Sequence, residues 1–256
     1  MIDCRIDAHV AEITLNNPSA NTFTAEGLEA LATCIAALNE DANVYAAIIT
    51  GHGEKFFSAG ADLKSFADGD KVLARLMAQR FGVAFEALQN ARPVIIAAIN
   101  GYAMGGGLEC ALACDLRIAE EQAQMALPEA SVGLLPCGTG TQTLPWLVGE
   151  GWAKRMILTN ERIDAATALR IGLVEQVVPR GMARKTALEL AQRVTTLSPR
   201  AVHYSKQLIH EARNGTPRSA ALALERERFI DLFGGEDQRE GVAAFLEKRP
   251  PVWKNR

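Results

Sequence analysis

Two carboxylates and a glycine run are the residues of this chain whose types and spacing suit chemistry. Gly105-Gly106-Gly107-Leu108-Glu109 sets unhindered main chain beside one acid, and Leu127-Pro128-Glu129 supplies a second acid further on. Main-chain N–H groups freed by glycine can hold the negative charge that builds on a carbonyl oxygen when the neighbouring carbon becomes anionic, while carboxylates move protons beside it. Gly106 is the natural first donor to such an oxygen. A second donor comes from the other small-residue turn, Phe57-Ser58-Ala59-Gly60-Ala61-Asp62, through the Ala61 N–H. Taken alone, that segment also reads as a tight turn with no ligand.

Glu109 is followed by Cys110-Ala111-Leu112-Ala113, which predicts a helix buried nearly all round with the acid in its first turn. A buried acid needs a reason. Glu129 precedes the apolar run Val132-Gly133-Leu134-Leu135-Pro136, which closes on Cys137-Gly138-Thr139-Gly140-Thr141-Gln142. As a pair, the two acids meet the needs of water addition across a double bond. One activates the water and the other exchanges the proton on carbon.

The elements that must position them follow an alternating pattern. Val10, Ile13 and Leu15 read as a strand, Thr24 caps a helix through Leu28, Leu31, Ile35 and Leu38, and Ala46–Thr50 is a compact apolar strand. A helix over 72–88, a buried strand over Val94–Ile99, a small-residue helix over Leu108–Cys114 and a strand over Leu116–Ala119 continue it. From about Gly151 the pattern turns helical, with segments over 165–171 and 187–194 and others after Pro199 and Pro217. A soft boundary near residue 200 divides a strand-and-helix core, 1–200, from a helical part, 201–256.

Composition narrows the function classes. With 27 Lys and Arg against 30 Asp and Glu, a net charge of −3 offers no broad basic surface for nucleic acid or anionic lipid. Small-molecule partners fit better. The cysteines Cys4, Cys34, Cys110, Cys114 and Cys137 form no disulfide framework, the start of the chain has no basic region leading into an apolar run, and no apolar stretch reaches membrane-spanning length. These features lead us to expect a cytoplasmic protein. Cys110 and Cys114 share a helix face and read as packing residues rather than metal ligands, and the dispersed His9, His52, His203 and His210 lack metal spacing. The glycine run does not fit a dinucleotide fingerprint, and there is no phosphate loop or serine-nucleophile motif. Acid/base chemistry without a metal is the expectation.

Over nearly its full length the chain resembles the enoyl-CoA hydratase/isomerase, or crotonase, family. The resemblance is carried by Phe57–Lys64, Ala97–Glu109 and Leu127–Pro136, with Arg239-Glu240-Gly241, Phe245 and Lys248-Arg249 near the end. It implies an α/β fold, a crotonase-type spiral of ββα units with a helical C-terminal part, assembled as a homotrimer or a dimer of trimers. It also implies an oxyanion hole at Ala61 and Gly106, an acyl-CoA path along Ala59, Asp62, Leu63 and Lys64, and a catalytic pair in Glu109 and Glu129. Coenzyme A arrives as part of the substrate, so no separate cofactor is implied.

The expected reaction is reversible syn addition of water to a trans-2-enoyl-CoA, giving a 3-hydroxyacyl-CoA. A double-bond isomerase needs mainly one proton-shuttling carboxylate, and a dehydratase of a substituted acyl-CoA would use the same pair. A noncatalytic, RNA-binding relative is the alternative from another class. The chain departs from the family at two places. Cys137 stands where many hydratases carry glycine, although its N–H can still bind water, and the segment Asn17–Thr22 lacks a basic residue often found there. Coenzyme A phosphates would then rely on Lys64, or on Lys248, Arg249 and Lys254 of the tail.

Overall fold

The computed structural model describes residues 2–256, and its strands alternate between two sheets. The larger has six strands, β1 (Ile2–Asp7), β2 (Val10–Leu15), β3 (Ala46–Gly51), β5 (Val94–Ile99), β7 (Leu116–Glu120) and β10 (Gln176–Val178), in that spatial order. Only the β1–β2 pair in it is antiparallel. The smaller contains β4 (Phe56–Ser58), β6 (Tyr102–Met104), β8 (Gln124–Ala126) and β9 (Ile163–Asp164), parallel except for the last pair.

Helices complete a repeating path. β3 and β4 lead to α2 (Lys71–Gln89), β5 and β6 to α3 (Gly106–Leu112), and β7 and β8 to α4 (Gly140–Leu158). Each turn of this spiral gives one strand to each sheet and then one helix, which is the ββα architecture the resemblance implies. α1 (Ala25–Glu40) precedes the spiral, with Thr24 accepting from the Gly27 N–H as its cap, and α5 (Ala165–Arg170) follows β9. α6 (Ala183–Thr195), α7 (Pro199–Arg213), α8 (Arg218–Leu232) and α9 (Glu236–Glu247) form the helical end of the chain.

Both faces of the large sheet are covered, which explains its near-continuous apolar strands. Ala47 and Ile49 of β3 pack toward α1 and α2, whereas Ala46 and Ile48 pack with Ile96, Ile118 and the Ala183, Ala187 and Ala191 face of α6. Each fully buried isoleucine contributes roughly 1.5–3 kcal/mol. At the chain's helical end, Lys206 Nζ of α7 reaches Asp115 Oδ2 at 2.7 Å and the Pro93 carbonyl at 3.0 Å, pinning that helix to the sheet.

β2, β3, β5, β7 and the helices α1 and α2 lie where the sequence places them, α3 begins and ends two residues earlier than expected, and β1 and β10 of the larger sheet were not read from the sequence. The smaller sheet is the main addition: its strands are two or three residues long and carry no readable alternation. α4 also begins at Gly140, earlier than the helical pattern expected from residue 151; Pro145 inside it and the non-helical dihedrals of Gly149 interrupt the pattern by which the sequence would show it. Among the described residues, no helix is long and apolar enough to cross a membrane.

Candidate active site

Ser58 ends β4 and starts the turn that carries Ala61. Its buried hydroxyl donates to the Asn21 carbonyl at 2.7 Å and accepts from the Gly60 N–H at 3.1 Å. Gly60 then takes φ +86°, and a Cβ there would lie 2.7 Å from the Met104 carbonyl and 3.0 Å from the Gly106 nitrogen. Only glycine lets these two main-chain segments meet. The Phe23 N–H donates to the Gly60 carbonyl at 2.8 Å, and the Asp62 N–H donates to the Phe23 carbonyl at 3.2 Å. Because this parallel bridge uses the groups flanking Ala61, the Ala61 N–H points away from Phe23, and Ala61 itself lines a cavity.

Gly106 is the first residue of α3, where a helix leaves N–H groups without internal partners. All of α3 is buried. Gly107 allows this, because a Cβ there would lie 2.2 Å from the Ser58 carbonyl oxygen. Glu109 is therefore carried into the core and is only 2 % exposed. Its Oε1 accepts two main-chain hydrogen bonds, from Gly138 and from Gly140, each 2.8 Å long. Burial raises the Glu109 pKa above the usual carboxylate range, against the lowering pull of those two donors.

Glu129 opens a short 3-10 turn, Glu129–Val132, and its Oε1 would lie 3.1 Å from a Cβ on Gly105. Its Oε2 is buried without a hydrogen-bond partner among the described residues. Burial, followed by the charge of Glu109, pushes the Glu129 carboxyl up to about 7 against the pull of its own main-chain N–H. The two acids, distant in sequence, face one cavity of about 560 Å³. Ala59, Ala61, Leu63, Gly106 and Cys137 also line it. The Cys137 thiol is raised to about 11, mainly by burial and then by the two carboxylates, so it stays neutral.

Asp62 and Lys64, expected on the coenzyme A path, are not among the residues lining this cavity. Asp62 instead caps the 3-10 turn Leu63–Phe66, accepting from the Lys64 N–H at 3.2 Å. In the tail, the Arg249 guanidinium is taken up by Glu240 and Glu247, each at 2.6 Å. Sequence reasoning missed the two glycine donors that hold Glu109. Their signal was present in Gly138-Thr139-Gly140, directly after Cys137. It also missed the apolar lining that Met77 and Phe81 of α2 give the cavity together with Leu134 and Leu135, because helix periodicity marks α2 as packed without saying against what.

The family model for enoyl-CoA hydratase/isomerase matches residues 5–256. The chain belongs to this family. Among curated relatives, the short-chain-enoyl-CoA hydratase of Clostridium acetobutylicum is 40% identical over 248 residues, 95% of this chain and 93% of that protein. The carnitinyl-CoA dehydratase of Salmonella typhi is 39% identical, over 96% and 95% of the two chains. The solved structure of DspI from Pseudomonas aeruginosa is 64% identical and superposes with a TM-score of 0.96, covering 99% of this chain and 96% of that one. An enzyme of the hydratase/isomerase type, acting on an acyl-CoA, is consistent with this membership.

Proposed function

We propose that the protein is an enoyl-CoA hydratase, adding water reversibly and syn across the double bond of a trans-2-enoyl-CoA to give the 3-hydroxyacyl-CoA. One observation carries this reading: a cavity walled by two acids, one with an oxygen fixed by two main-chain donors, the other with an orphan oxygen and a pKa near neutrality. In hydration, the Glu109 carboxylate takes a proton from water while the water oxygen bonds to Cβ. The electrons of the double bond move toward the thioester oxygen, where the Ala61 and Gly106 N–H groups stabilise the enolate. Glu129, protonated, delivers its proton to Cα. Each such N–H donor is worth roughly a hundredfold to a thousandfold in rate.

The pair of acids favours water addition over double-bond migration, for which one carboxylate suffices. Likeness to a carnitinyl-CoA dehydratase supports a second reading, elimination of water from a substituted hydroxyacyl-CoA by the same two residues. The protein would need no cofactor beyond the coenzyme A of its substrate. A homotrimer or dimer of trimers is part of the proposal, supported by the exposed Phe229, Phe233, Phe245 and Leu246 on α8, its C-terminal cap and α9. Light scattering on the eluting protein gives the mass.

The decisive experiment follows loss of enoyl-thioester absorbance with the wild type, Glu109→Gln and Glu129→Gln, beside a 3-enoyl-CoA and a branched 3-hydroxyacyl-CoA. Hydration by the wild type, reduced about 10²-fold or more in each variant, is the expected result. Near-normal turnover in both variants removes the proposed pair, and preference for the 3-enoyl substrate makes the protein an isomerase.

A further inference from the structure

We propose that Thr139 is a positioning residue for Glu109: its left-handed backbone, held by hydrogen bonds running from Gln89 through Thr143, keeps the Gly138 and Gly140 N–H groups aimed at one carboxylate oxygen. The inference rests on the reading of Glu109 as the group that activates water. Thr139 stands between the two donors with φ +90° and ψ −10°. A left-handed residue between two N–H groups turns both to one side, the concavity with which main chain cradles an anion. Glu109 Oε1 fills that concavity at 2.8 Å from each nitrogen.

A β-branched residue is ill suited to this backbone region, where glycine is the ordinary occupant. It persists there only when its surroundings hold it. The usual reason for threonine at this point would be helix capping, since Thr139 is the N-cap of α4. Its side chain makes no capping bond. The hydroxyl instead lies 3.3 Å from Thr143 Oγ1, which accepts from Gln89 Nε2 at 3.1 Å. Thr143 is buried in α4 and Gln89 ends α2, so the turn is tied to two helices at once. Phe85 of α2 closes the other side, its ring 2.6 Å from where a Cβ on Gly138 would stand.

The titratable groups facing the Glu109 carboxyl are Glu129 across the cavity and the neutral Cys137 thiol. Its remaining close neighbours at the turn, Phe85 and Leu127, carry no charge. Loosening the turn removes hydrogen bonds to the charged form of Glu109, so its pKa must rise.

The test combines steady-state kinetics with carbon-13 NMR titration of the Glu109 side-chain carboxyl, on the wild type, Thr139→Val, Thr139→Ser and Thr143→Val. In both valine variants kcat falls about tenfold or more, KM stays within about twofold, and the Glu109 titration moves up by about one pH unit. Thr139→Ser, which keeps the hydroxyl, returns both readouts close to the wild type. A Glu109 titration that does not move in the valine variants overturns the proposal, whether or not kcat falls. Thr143→Val leaves the turn's own residues intact, and so decides the matter if Thr139→Val does not fold. Should the wild type hydrate no enoyl-CoA, the catalytic reading fails, while the NMR titration still decides whether Thr139 positions the carboxylate.

Discussion

Glu109 Oε1 and the main-chain nitrogen of Gly140 lie 2.8 Å apart across 31 residues of sequence. The contact joins the first turn of α3 to the start of α4, two successive turns of the spiral. It anchors a buried carboxylate oxygen that would otherwise be free to rotate, and it lowers a pKa that burial alone would drive higher.

Replacing Glu129 by glutamine removes the proton donor to Cα and also removes a buried charge. The folded-state pKa of Glu129 is raised from 4.5 to about 7. Its contribution to stability is therefore fully present below pH 4.5 and is lost as pH rises through about 7. Glu129→Gln is expected to lose roughly 10²- to 10⁴-fold in kcat. It should also gain about 1–2 kcal/mol of stability at pH 8, a few degrees in Tm, and little at pH 5. Thermal melts at the two pH values check the sign.

Hydration and its reversal should share one pH profile. Hydration starts with Glu109 ionised and Glu129 protonated, and dehydration starts with the reverse, so both need a pair holding a single proton. The alkaline limb of kcat/KM lies at an apparent pKa of about 7 in both directions, because above it both acids are ionised. Rates measured from enoyl-CoA and from 3-hydroxyacyl-CoA across pH 5–9 (about two units either side of that value) test it. A profile without an alkaline limb near that value contradicts a pair that must hold a single proton.

Gly60→Ala should damage both fold and activity. Its Cβ would meet the Met104 carbonyl at 2.7 Å from a backbone at φ +86°, so main chain rather than a side chain has to move. A loss of about 2–4 kcal/mol is expected. Urea midpoints measure that loss. Because the displaced segments hold Ala61 and Gly106, kcat falls further than KM rises in whatever fraction remains folded.

Asp115 gives a stability test away from the cavity. Its Oδ2 accepts from the Ile95 N–H and from Lys206 Nζ, both at 2.7 Å. Asp115→Ala strands a lysine that is only 8 % exposed, at a cost of about 3–5 kcal/mol. Lys206→Met in the same background should recover part of this, read from the same denaturation curves.

Much of the fold was legible because its large strands and long helices have strong local patterns. Val94–Ile99 reads as a doubly covered strand from six apolar residues in a row, and both of its faces are buried. β4, β6, β8 and β9 were not legible, since two or three residues cannot establish a period, and their pairing depends on neighbouring turns of the spiral. The acids, the glycine run and the turn before Ala61 could be named from residue type alone. The partners of Glu109 could not, because Gly138 and Gly140 approach it only when α4 stacks beside α3.

The sequence by itself determined which groups exist: two carboxylates, a run of unhindered main chain, an apolar lining and no excess of positive charge. Tertiary structure alone decided that the carboxylates share one cavity, that one is pinned by two N–H groups while the other keeps an unpartnered oxygen, and that a threonine occupies a glycine's backbone region between the donors. The reason is one of range. Propensity and periodicity act over a few residues, whereas pKa values and hydrogen-bond partners are set by whatever packing brings within a few ångströms.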